Sequence, residues 1–155
     1  ARLRATKTDG NALLLKTSGD PLVIPALNRD GDSLSDLVLE MFGSIAGAES
    51  VILSLDDNFE VKAVVTEAPH GTAPSLFGKN IANPMAMILA GAALLRYIHT
   101  GAAERASRAI YESVLEAVNE GVRTPDLGGQ TTTTEFTNEI IRRVRSKLDV
   151  WKALG

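Results

Sequence analysis

One segment limits the possible folds of this chain more than any other: MAMILAGAALLRYIH, residues 85–99. At helical spacing it is apolar almost all the way round. A helix with one apolar stripe can lie on a surface, but one that is apolar on every side must be covered from several directions. The chain therefore has to bring other elements to both flanks of this segment. Pro84 suits its first turn and Asn83 suits its cap, since proline has no N–H to lose there and an asparagine oxygen can accept an orphan N–H. Gly101 is expected to end it.

The covering elements can be read on either side. Residues 1–27 have the character of short strands, LRATK, ALLLK and PLVIPAL, broken by the turn formers DGN and SGD. From Ser33 to Phe42, apolar residues recur at Leu34, Leu37, Val38, Met41 and Phe42, which predicts a helix stopped by Gly43. SVILSL and EVKAVVT follow, separated by DDNF, and read as a hairpin or two neighbouring strands. After residue 101 an amphipathic helix is predicted over Ala102–Asn119, with Ile110, Val114, Leu115 and Val118 on its apolar face. VRTPDLGGQ reads as a loop. The last helix is TTTTEFTNEIIRRVRSKL, opened by a Thr132/Glu135 capping box and carrying Ile140, Ile141 and Val144 as its stripe. Strands, a helix, strands and then three helices imply an α/β domain, a mixed sheet flanked by helices. The expected organisation is one domain: a β-rich segment over 1–27 and an α/β region over 28–150.

Composition narrows the function. At 155 residues and 45% hydrophobic content, the chain can bury a real core, roughly 68–70% of its unfolded surface. It has no cysteine, which excludes disulfides, thiolate catalysis and cysteine–zinc sites. Its net charge of −3 comes from intermixed acids and bases, with no basic face for nucleic acid. No apolar run reaches the ~18 residues of a membrane span. The basic opening ARLRATKTDG has no apolar stretch behind it, so a cytoplasmic location is expected.

Three polar segments are candidates for chemistry. NRDGDSLSD, residues 28–36, holds Asn28, Asp30, Asp32 and Asp36. Asp32 and Asp36 share a helix face and suit an oxygen-seeking ion such as Mg²⁺ or Mn²⁺. By residue chemistry alone the plainer alternative, Asp32 or Ser33 as a helix cap, weighs more. TEAPHGTAPSLFGKNIANP, residues 66–84, gathers Glu67, His70, Thr72, Lys79 and Asn83, while the small Gly71 and Ala73 would let a ligand approach the backbone. Its alternative is a long connector. TPDLGGQTTTTEFT pairs Asp126 with a Gly-Gly turn and a threonine-rich helix start. It lacks the Gly-Lys-Ser/Thr of a P-loop and reads first as a turn and a cap.

Together these segments resemble the isocitrate and 3-isopropylmalate dehydrogenases. EAPHGTAPSLFGKNIANPMAMILAGAALL is similar to that family's cofactor loop and following helix, GDSLSD to its metal-binding segment, and TPDLGGQTTTTEFTNEII to its C-terminal segment. The resemblance implies the fold of the family's large-domain half. It implies that Asp32 and Asp36 hold a divalent metal, that His70, Gly71, Thr72 and Ala73 lie against the adenosine half of NAD(P), that Asn83 meets the adenine, and that Asp126 closes the same pocket. Family members are usually more than twice as long. The half that carries their substrate arginines and their catalytic tyrosine and lysine is not recognisable here. Ser75 stands where the family often has an acid for NAD or a base for NADP.

Oxidative decarboxylation needs a clamped carboxylate, a held hydride acceptor and an acid for the enolate. Without the clamp and the acid, the chain alone is not expected to be a competent dehydrogenase. Three readings follow, in this order. The first is a non-redox enzyme of lyase, isomerase or cyclase type in the old cleft, using His70, Glu67 and Asp32. The second is a binding or regulatory subunit of a full-length relative. The third is a part of a dehydrogenase that works with its other half. A homodimer is expected, because removing half of a parent domain exposes apolar surface.

Overall fold

A computed structural model describes residues 23–41 and 48–153. The expected strands LRATK and ALLLK, and Phe42 and Gly43 at the end of the first helix, lie outside the described residues. The chain divides into two compact units, Ala1–Val38 and Leu39–Gly155.

In the first unit, Val23–Leu27 has no regular structure, so the strand expected over PLVIPAL is not found in its described part. Pro25 has no N–H to give to a strand ladder. Helix α1 runs Asn28–Met41 and begins four to five residues earlier than its apolar spacing suggests. Its first turn closes when the Gly31 N–H donates to the Leu27 carbonyl at 2.7 Å. Asp32 and Ser33 are therefore inside the helix and do not cap it. The Ser33 hydroxyl instead donates back to the Arg29 carbonyl at 3.2 Å.

The second unit is built around the apolar segment. Strands β1 (Ser50–Leu55) and β2 (Val61–Glu67) form an antiparallel hairpin, with Val51 opposite Thr66, Ile52 opposite Val65 and Leu53 opposite Val64. At the tip, Asp56 Oδ1 accepts from the N–H groups of Asn58 (2.8 Å) and Glu60 (3.0 Å), and Phe59 takes a left-handed φ of 63°. A side-chain oxygen thus organises the turn. Where a larger mixed sheet is expected, the described residues contain this two-stranded antiparallel sheet. The α/β class stands, with four α-helices among the described residues.

Helix α2 (Met85–Leu95) packs against the hairpin on one side and α3 (Gly101–Asn119) on the other. Helix α4 (Thr133–Ala153) packs against α3 in turn. The all-round apolar helix is thus the middle layer, burying Met85, Ala86, Leu89, Ala90, Ala92 and Ala93. Gly101 opens α3; it does not close α2. The reason is Thr100, whose hydroxyl accepts the Ala103 N–H at 3.2 Å and makes a new helix start at that point.

The core joins Met85 and Leu89 of α2, Val114 and Ala117 of α3, and Phe136 and Ile140 of α4. Ile110, Val118 and Val144 pack at its margin as expected. Leu115 and Ile141 do not; they are 62% and 44% exposed. Each lies one helical step, about 100°, beyond a buried neighbour (Val114, Ile140), outside the strip that faces the next helix. Polar groups also link the layers. The Ser107 hydroxyl donates to the Ala92 carbonyl at 2.7 Å, and the Tyr111 hydroxyl donates to the Glu49 carboxylate just before β1. Partial burial, and then that carboxylate, push the Tyr111 phenol well above its ordinary range. No helix among the described residues is long and apolar enough to cross a membrane.

Candidate functional site

The loop between β2 and α2 leaves the sheet at Glu67, and its backbone turns back at once, the His70 N–H donating to the Ala68 carbonyl at 2.8 Å. The His70 ring lies at the surface with Nδ1 3.0 Å from the Gly71 carbonyl. A carbonyl can only accept, so Nδ1 carries the proton and Nε2 of the neutral ring remains an acceptor. No atom comes within 4 Å of where a Gly71 Cβ would sit, and Gly71 has no left-handed φ. The protein's own packing does not demand glycine there; the space beside the backbone is open. Ala73 adopts a left-handed conformation (φ 41°, ψ 63°), which is costly for a residue with a Cβ. It starts a short 3₁₀ turn over Pro74–Leu76, and Gly78 (φ 74°) and Asn80 (φ 56°) are left-handed as well.

The far end of the loop is tied to the C-terminal segment. Pro84, expected in the first turn of α2, stands at the N-cap position itself, and Asn83, expected as the cap, lies one residue further out, where its Oδ1 accepts the Met85 N–H at 3.0 Å. Asn83 Nδ2 donates to Asp126 Oδ2 at 2.9 Å, while Asp126 Oδ1 accepts from the hydroxyl of the fully buried Thr124 at 2.6 Å. Two residues 43 positions apart in sequence, both expected at one pocket, thus meet directly. Asp126 sits in a 3₁₀ turn, Pro125–Leu127, closed by Gly128 in the left-handed region (φ 75°).

The Asn80 carbonyl accepts the Thr133 N–H at 2.9 Å, and its side-chain oxygen accepts both the N–H (3.2 Å) and the hydroxyl (2.9 Å) of Thr134. The Thr133 hydroxyl donates to the Ala82 carbonyl at 2.5 Å. The capping box is present: the Glu135 N–H donates to Thr132 Oγ1 at 3.2 Å and the Thr132 N–H to Glu135 Oε2 at 2.9 Å. That N–H, and then the Thr132 hydroxyl, lower the Glu135 carboxyl below its ordinary range. The Phe136 N–H bonds the Thr132 carbonyl. All five amides from Thr132 to Phe136 therefore have protein partners, and the threonine-rich start is a cap; no N–H there is left for a phosphate.

Asp32 and Asp36 lie one turn apart on α1, both exposed. Among the described residues no three His, Asp or Glu side chains cluster as a metal cage. The two carboxylates have the right chemistry for Mg²⁺, which binds through one or two carboxylates with waters and substrate oxygens. They supply two ligating side chains.

Sequence reasoning did not single out Asn80, Thr124 or the Thr133–Thr134 pair. Asparagine is the side chain that best tolerates a left-handed backbone while its oxygen caps a helix, so the Lys-Asn-Ile spacing was the available clue for Asn80.

The profile of the isocitrate/isopropylmalate dehydrogenase family matches residues 10–140. The chain belongs to this family. It is 39% identical over 122 residues to the NAD isocitrate dehydrogenase catalytic subunit 5 of Arabidopsis thaliana mitochondria, covering 78% of this chain and 30% of that one. It is 34% identical over 146 residues to 3-isopropylmalate dehydrogenase B of Aspergillus niger, covering 90% of this chain and 38% of that one. Its structure is similar to the crystal structure of the apo β-decarboxylating dehydrogenase of Thermococcus kodakarensis: TM-score 0.74, 31% identity, 92% of this chain and 40% of that one. This dehydrogenase-family chain thus spans about a third to two fifths of the length of the relatives it matches. The family ordinarily works with NAD(P) and Mg²⁺ or Mn²⁺.

Proposed function

We propose that the chain forms the nucleotide-holding part of a decarboxylating 2-hydroxy-acid dehydrogenase. In this reading His70–Ala73 and Asn83 receive the adenosine half of NAD(P), Asp126 orients Asn83, and Asp32 and Asp36 contribute carboxylates to a divalent metal. The observation that carries the reading is the Asn83–Asp126 hydrogen bond, which joins the end of an open, surface-held His70–Ala73 loop to the C-terminal segment. The donor set suits an adenosine. The imidazole Nε2 can accept, the second Asn83 amide hydrogen can donate, and the backbone beside Gly71 is open to close approach. A bound nicotinamide would supply the hydride acceptor. The residues of this chain bind and orient its far end, and the acid and the carboxylate clamp come from the part of the family's fold that this chain does not span.

A non-redox enzyme, the first reading of the sequence, would draw its acid and base from His70, Glu67 and Asp32, of which Glu67 ends β2 and His70 lies in the loop between β2 and α2. Both are exposed, and no hydrogen bond joins them among the described residues, so the geometry lends this reading less support.

Calorimetric titration with NAD and with NADP, with and without Mg²⁺, tests the proposal. Binding is expected for the native chain and is weakened at least tenfold by His70→Ala, with no reduction of either nucleotide in the presence of isocitrate, isopropylmalate, malate or tartrate. No binding at millimolar nucleotide refutes the nucleotide role. Turnover by the chain alone refutes its dependence on the rest of the fold.

A further inference from the structure

We propose that Asn80, a residue outside the nucleotide-contacting set, is the positioning residue that holds the His70–Lys79 loop in its ligand-ready shape by stapling it to the start of α4. The inference rests on the nucleotide reading above for its function, though not for its geometry.

The argument starts from where the loop's hydrogen bonds go. From His70 to Lys79 every one is local: His70 to Ala68, the His70 ring to Gly71, Leu76 to Ala73, Phe77 to Pro74 and Lys79 to Leu76. Among the described residues none reaches another helix or strand. The side chains add little anchorage, since Leu76 is the only residue of the ten that is even half-buried and Phe77 is 91% exposed. The stretch also contains two left-handed residues, Ala73 and Gly78, and adopts a third at Asn80. A non-glycine left-handed residue persists only where its surroundings over-determine it. Local bonds alone do not do that for a surface loop.

Asn80 is the first residue after His70 to bond outside the loop, and it does so three times. Its carbonyl takes the Thr133 N–H, and its Oδ1 takes the Thr134 N–H and hydroxyl. Asn80 presents both oxygens to the same helix end from a left-handed backbone (φ 56°). That explains asparagine at this site: glycine would permit the φ without the cap, and alanine would offer neither. The loop therefore has two fixed ends, β2 at Glu67 and α4 at Asn80, and it is the bonds to the Asn80 oxygens that hold the second end.

The test compares Asn80→Asp, Asn80→Gly and Asn80→Ala with Thr132→Ala, which weakens the same helix start without touching the loop. Three quantities are read: amide hydrogen exchange over residues 70–79 without ligand, NAD affinity, and thermal midpoint. Aspartate keeps the acceptor and adds charge at the positive helix end, so it should restore native exchange and affinity within twofold. Glycine and alanine should speed exchange over 70–79 and weaken NAD binding about fivefold, the equivalent of one lost cap. Thr132→Ala should lower the midpoint and leave loop exchange and affinity native. Native exchange over 70–79 in Asn80→Ala overturns the proposal, as does an equal effect of Thr132→Ala on loop and affinity. If the native chain binds no NAD, the nucleotide reading fails and exchange over 70–79 alone decides the staple.

Discussion

Gly129→Ala should be the most damaging single methyl that can be added to this protein's C-terminal turn. A Cβ on Gly129 would stand 2.0 Å from the Arg123 carbonyl oxygen, 2.5 Å from its carbonyl carbon and 2.6 Å from its Cβ, where ordinary contact begins near 3.4 Å. Two of these three atoms are backbone, so no side chain can rotate away. The turn must open by more than an ångström. Two hydrogen bonds hold it shut, Gly129 N–H to the Thr124 carbonyl at 3.0 Å and Thr131 N–H to the Arg123 carbonyl at 2.9 Å. Losing both costs about 2 kcal/mol, and the residual overpacking adds about 1–3 kcal/mol, for a total near 3–5 kcal/mol. In a domain of this size that is a fall of roughly 10–15 °C in the thermal midpoint. The neighbouring Gly128→Ala supplies the internal comparison. Its Cβ meets nothing within 4 Å, and its cost is the left-handed φ of 75° alone, about 1–2 kcal/mol. Urea denaturation of both variants measures the difference. If Gly129→Ala is as stable as Gly128→Ala or better, close backbone approach is not the reason for the Gly-Gly pair and the account of this turn is wrong.

Two further outcomes are expected. The Ser113 hydroxyl in α3 is fully buried and has no hydrogen-bond partner among the described residues, so Ser113→Ala should stabilise the protein by about 1 kcal/mol in urea; a loss of stability would sink the idea that this hydroxyl is unpaired. Hydrogen bonds from Arg142, then Arg143, hold the Glu139 carboxyl at about 2 against an ordinary 4.5. A carboxyl depressed in the folded state stabilises fully above its unfolded value and loses that contribution as pH falls through the folded one. The thermal midpoint should therefore decline between about pH 4.5 and 2, and Glu139→Gln should flatten that decline; an unchanged slope would refute the assignment.

Local pattern carried much of this protein. The all-round apolar segment required a central helix with neighbours on both sides, and Met85–Leu95 is that helix. Two β-branched runs around DDNF gave the hairpin, and Thr-x-x-Glu gave the start of the last helix, because capping and turn chemistry act over three or four residues. Other features needed the third dimension. The apolar spacing from Leu34 located a helix but not its beginning, since Asn28–Asp32 carries no periodicity and the first turn is closed by a backbone bond to Leu27. Gly101 read as a stop until Thr100 supplied a cap for the next helix. Leu115 and Ile141 fit an apolar stripe as well as their neighbours do, and only the direction of the adjoining helix decides which of them is covered. At the candidate site the sequence by itself determined the loop, its small residues and the aspartates on α1. Only the tertiary structure decided that Asn83 meets Asp126 and that Asn80 joins Thr133 and Thr134. Those bonds link residues more than 40 positions apart, and no local preference encodes which distant helix end will arrive to receive them.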